Sequence, residues 1–92
     1  MDAETAKKNE TRDLERLAEA IARVERRSRR YAAEGDQGMA RFVDRDVRAL
    51  QALAGAVKAG DYRRAKTIAW RMDTAVCDLI PNRLYNAIFP ER

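Results

Sequence analysis

The sequence predicts an all-α chain: an antiparallel three-helix bundle with a long first helix and a short C-terminal helical segment. Three observations carry this. Apolar residues recur at intervals of three and four through most of the chain, and no stretch alternates with the period of two that a strand needs. Only four glycines and two prolines occur, and no Ser/Gly/Pro-rich stretch marks a linker. Ninety-two residues, 46 % apolar and 37 % charged, suffice for one small core and not for two. Short connections between long helices imply antiparallel neighbours, hence a single domain over residues 1–92.

The first helix is expected over about residues 13–34. Leu14, Leu17, Ile21, Val24, Ser28 and Tyr31 follow one seam of alternating three- and four-residue steps. Residues 1–12 offer only Ala3 and Ala6 to a core: either the first turn or two frays, or a helical start near Ala3 overhangs the second helix by about 15 Å and meets a partner helix. "AAEGDQG" ends the helix, with Gly35 and Gly38 available for left-handed caps. The second helix, about 38–59, repeats the period through Met39, Val43, Val47, Leu50, Ala54 and Val57, and Gly60 closes it. Asp61 is the expected N-cap of a third helix over about 61–80, with Ala65, Ile68, Met72, Val76 and Leu79 inward. Pro81 interrupts the chain. Residues 81–90 then form a C-terminal clip offering Leu84, Tyr85, Ile88 and Phe89. The stretch "KAGDYRRA", residues 58–65, resembles the turn and second-helix start of a tetratricopeptide unit; no second repeat follows, and no family is assigned on eight residues.

Composition excludes several functions. No histidine is present, which removes the usual general base and commonest metal ligand. A lone cysteine without a histidine is a poor nucleophile, and no Cys/His spacing supports zinc. No Gly-rich loop between strand and helix cradles phosphate. No enzyme, cofactor, metal or small-molecule substrate is therefore expected. The single cysteine fits a reducing compartment, no run is apolar enough for a membrane span and the polar N-terminus is no secretory signal, so the cytoplasm is expected.

Charge marks the candidate contact faces. Nineteen basic against fifteen acidic residues leave +4, unevenly placed: residues 1–22 carry net −2, residues 23–33 net +4. On a helical wheel Arg23, Arg27 and Arg30 share one flank with Arg12 and Arg16. Glu19–Arg23, Glu25–Arg29 and Arg30–Glu34 are spaced for local pairs, which leaves Arg26 and Arg27 as possible phosphate or acidic-partner contacts. In the second helix Arg41, Arg45 and Arg48 form a ridge beside small residues Ala52, Gly55 and Ala56, with Asp44 spaced to pair with Arg48. In the third, Trp70 and Cys77 lie seven residues apart, opposite Met72, and Arg63 and Lys66 continue their line. An exposed tryptophan beside cations is a frequent contact group; burial under the clip is the alternative.

The functional expectation is a small helical interaction module, an adaptor, regulator or inhibitor, that docks on a larger partner or a second copy. Nucleic acid held by the arginine ridges, or inhibition of a nucleic-acid-handling complex, is the alternative. The modest charge, the interspersed acids and the lack of a helix-turn-helix or RNA-binding signature stand against it. A chain of this size also suits a phage or mobile element.

Overall fold

The computed structural model describes residues 3–90, with Ala6 by its backbone alone. Helix takes up 83 % of the described residues and no strand forms among them, which settles the class as all-α. Helix α1 runs Ala3–Ala33, α2 Gln37–Lys58, α3 Tyr62–Trp70, α4 Thr74–Cys77 and α5 Asn82–Ile88. The molecule measures 50 × 22 × 19 Å. Its 31-residue first helix, about 46 Å by the helical rise, spans nearly that whole length.

Two Gly-Asp pairs make the turns, each by the same device. Gly35 (φ 85°) and Gly60 (φ 75°) occupy the left-handed region that side chains avoid. The next amide, of Asp36 or Asp61, donates back to the carbonyl of Tyr31 (2.9 Å) or Ala56 (2.8 Å), closing the preceding helix. Each aspartate then begins the next helix: its carboxylate accepts from the Met39 amide at 3.1 Å or the Arg64 amide at 3.0 Å. One dipeptide thus ends one helix and caps the following one. Gly38, a predicted cap, lies inside α2 instead.

Helices α1 and α2 form a hairpin. Near the turn the Ser28 hydroxyl donates to the Ala40 carbonyl at 3.0 Å. At the far end Tyr62 lies close enough to Glu10 and Asp13 that, with burial as the larger cause, its phenol is pushed above the usual value. The core between them holds Leu17, Ile21, Val24, Val43, Val47, Leu50 and Val57. Asp13 is the one buried charged residue among those described, one turn before Leu17.

The structure departs from the sequence expectations in several places. Helix α1 starts at Ala3 rather than near Asp13: residues 3–12 lack an apolar stripe but are rich in Ala, Glu and Lys, strong helix formers. The third helix stops at Trp70 instead of running to residue 80. Asp73 is extended (φ −62°, ψ 149°), the Arg71 and Met72 amides tighten onto the Ile68 and Ala69 carbonyls, and the chain turns away before α4. The turn buries Val76 and Ile80, while Ile68, Met72 and Leu79 are only partly covered. In α2, Met39 is 38 % exposed rather than inward, whereas Ala56, assigned to a small-residue contact patch, is buried. Helix α5 packs on α3 and α1 and buries Leu84, Ile88 and Phe89, as expected of a clip.

Candidate functional site

The break after Trp70 shapes the principal concavity. With α4 turned back and α5 packed on α3, a groove of about 1060 Å³ opens between them. Its apolar lining includes Ala69, Met72, Ile80, Tyr85 and Phe89; Lys66, Thr74, Asp78 and Asn82 supply polar groups. Polar and apolar groups share this lining in similar measure.

Trp70 stands at this groove with 78 % of its surface exposed. Its ring centroid is 6.3 Å from that of Phe89, the planes tilted 45°. Phe89 in turn lies 4.9 Å from Tyr85, tilted 42°. The buried Phe89 ring thus lies between the partly buried Tyr85 and the exposed Trp70. The clip touches Trp70 without covering it.

Cys77 enters the same groove by a route the sequence did not indicate. It is not on the helix of Trp70, but the returning chain brings its thiol to the Ala69 carbonyl, to which it donates at 3.3 Å. Burial, followed by the nearby carboxylates of Asp78 and Asp73, pushes the thiol above its ordinary value. Its thiol therefore holds its proton more firmly than a free cysteine does. Of the predicted third-helix face, the groove joins Lys66, Trp70 and Cys77; Arg63 is exposed outside its lining.

The arginine ridges sit on the hairpin. Arg26, Arg27, Arg41, Arg45 and Arg48 are all exposed. Arg48 pairs with Asp44 at 3.1 Å and Arg29 with Glu25 at 3.4 Å, both exposed pairs of small energetic weight. Glu19–Arg23 and Arg30–Glu34 form no ion pair among the described residues. Arg45 borders a second, smaller groove of about 490 Å³ between α2 and the end of α3, together with Phe42, Asp46, Ile68, Arg71 and Asp73. Asp46 has its carboxyl raised by burial and by Asp73, against the pull of Arg45 and Arg27. Among the described residues no group of three His, Cys, Asp or Glu side chains could hold a metal ion, and no helix is long and apolar enough to cross a membrane.

Phe42, 52 % exposed, is a surface residue that the single seam through Val43 and Val47 did not reveal. The signal was a second seam on α2, Met39–Phe42–Asp46–Ala49–Leu53–Ala56, with the same alternating steps. Tyr85 and Phe89, read only as clip residues, also line the Trp70 groove. The chain matches no family model, no curated protein and no solved structure.

Proposed function

We propose that the chain is a small non-enzymatic interaction module, an adaptor, regulator or inhibitor, that docks on a larger protein through the Trp70 groove. The scaffold is a shortened antiparallel three-helix bundle, with α3 as its incomplete third member. The observation that carries the reading is Trp70, 78 % exposed beside a groove of about 1060 Å³ with a mixed polar and apolar lining. Leaving so large an apolar group in water forgoes stabilisation that burial would provide, whereas tryptophan is enriched among the residues that dominate interfaces. Lys66 and Asp78 supply charge of both signs at the groove, which suits a polar-rimmed protein contact. A reducing, cytoplasmic setting suits the single cysteine.

The test is affinity capture from an extract of the source cell with the wild type and Trp70→Ala, alongside thermal melts of both. A specific protein retained by the wild type and lost by the variant, at unchanged melting temperature, supports the reading. The expected weakening is ~2 kcal/mol or more. Equal capture by both proteins contradicts it.

Nucleic acid is the second reading, favoured by the exposure of Arg26, Arg27, Arg41 and Arg45, none of which forms an ion pair among the described residues. Binding would then fall steeply with salt, since each neutralised phosphate releases counterions. Replacing Arg41, Arg45 and Arg48 by Gln would flatten that slope. No binding of duplex or single-stranded nucleic acid at low salt removes this reading.

A further inference from the structure

The second seam on α2 changes character along its length. Leu53 (0 % exposed) and Ala56 (4 %) are buried where α3 packs on α2; Ala49 and Asp46 are half-buried beside the last turn of α3; Phe42 (52 %) and Met39 (38 %) stand in solvent. The cause is length. Helix α3 has nine residues, about 13 Å, against about 33 Å for the 22 residues of α2. The periodicity fits a third helix along the whole hairpin, and the chain supplies it for only the half away from the turn.

The other wall of the uncovered half is basic. Arg23, Arg27 and Arg30 follow one another at four and three residues on one flank of α1, and all are exposed. The Ser28 hydroxyl, next in the chain to Arg27, donates to the Ala40 carbonyl at 3.0 Å, which sets this stretch of α1 alongside the Met39–Phe42 stretch of α2. Arg27 also opposes the rise of the Asp46 carboxyl. Among the described residues none of the three arginines forms an ion pair.

We infer that the turn-proximal half of the hairpin is a docking site for a partner's amphipathic helix, apolar on one stripe and acidic on its flank, which completes the missing third layer. A helix fits because α3 already packs on this seam, and Met39 and Phe42 continue it at the same spacing. The acidic flank follows from the arginine wall, where carboxylates at intervals of three and four residues would meet the same period. Nucleic acid is disfavoured by the apolar pair and by Asp46 and Asp73 in the adjoining groove. This surface adjoins the Trp70 groove at Met72 but shares neither Trp70 nor the clip with it, and its partner chemistry goes beyond the proposed function.

The test uses fluorescence anisotropy with the full chain and a synthetic, labelled helix of about 20 residues, Leu on one stripe and Glu on the flanks. A Lys-flanked version and a duplex DNA of similar length serve as the other probes. The Glu-flanked helix should bind about tenfold or more tighter than the Lys-flanked one, a difference one lost anchor or charge set readily produces. Phe42→Ala and the pair Arg27→Gln/Arg30→Gln should each weaken it by a similar factor, while Trp70→Ala leaves it unchanged. All these side chains are exposed, so melts of the variants should match the wild type and separate lost binding from lost fold. Equal affinity for the two peptides, no binding of either, or indifference to Phe42→Ala overturns the proposal. So does DNA binding that needs the arginines and not Phe42, or a dimer in light scattering that Phe42→Ala dissolves. A silent Trp70→Ala with a sensitive Phe42→Ala leaves the two surfaces independently judged.

Discussion

Trp70 and Phe89 face each other at 6.3 Å between ring centroids, yet Phe89 is 8 % exposed and Trp70 78 %. The clip thus buries its own aromatic ring and uses it as a seat for another that stays in water. Trp70 therefore has a ring neighbour on one side and leaves most of its surface open to a contact. The same contact gives α5 a role in function as well as in stability: it builds one side of the groove that Trp70 overlooks.

Leu50 is fully buried between the hairpin helices. Leu50→Ala should cost ~2–5 kcal/mol, a large share of a small domain's stability. Urea denaturation measures it, and a loss inside the surface range of about 0.5 kcal/mol would misplace the core.

The glycines should respond to alanine with opposite signs. Gly35 and Gly60 have φ of 85° and 75°, where a Cβ is strained although space around it is open. Gly35→Ala or Gly60→Ala should each lose about 1 kcal/mol. Gly55 sits inside α2 with nothing within 4 Å of an added Cβ. Gly55→Ala should gain roughly 0.5–1 kcal/mol in the same denaturation experiment.

Those turns were legible in the sequence because glycine and aspartate have narrow conformational uses. So were the seams of α1 and α2, since Leu17, Val24, Val47 and Leu50 repeat with the helical period and are buried. The break after Trp70 was not. Ile68, Met72, Val76 and Leu79 keep the period straight through it, and neither Gly nor Pro marks residues 71–73. Burial of Val76 and Ile80 against the returning chain decides the break, a tertiary effect that outweighs a local pattern. Cys77 reaches Trp70 for the same reason, through the fold and not through their spacing of seven. The start of α1 was left open by the sequence because propensity rather than an apolar stripe carries it.

Asp46 should make stability depend on pH in a defined direction. Burial, the larger cause, and Asp73 raise its carboxyl above the ordinary 3.8, and Arg45 and Arg27 only partly offset them. The folded state therefore holds this proton more tightly than the unfolded chain, so Asp46 favours folding at low pH and loses that contribution as pH rises through its raised value. Asp46→Asn should raise the melting temperature at neutral pH, and the advantage should vanish below the ordinary carboxylate value. A variant less stable at neutral pH would show that Arg27 and Arg45 outweigh the burial.

Cys77 should be a slow thiol. Its proton is held by burial and by Asp78 and Asp73, and its Sγ donates to the Ala69 carbonyl. Alkylation by iodoacetamide at neutral pH should run well below the rate of a free cysteine, rising only above the ordinary thiol value of 9.0. A rate equal to the free amino acid's would mean that the thiol is outside the groove.

The exposure of Trp70 as a contact residue is tested most directly by its own fluorescence, because the chain has a single tryptophan. The measurement is the emission maximum and acrylamide quenching of the monomeric protein, with monomer state fixed by light scattering. Emission at the solvated, red end of the range, quenched nearly as efficiently as free indole, is the predicted result. A blue-shifted emission that resists acrylamide in the monomer would return Trp70 to the core and remove the groove from function.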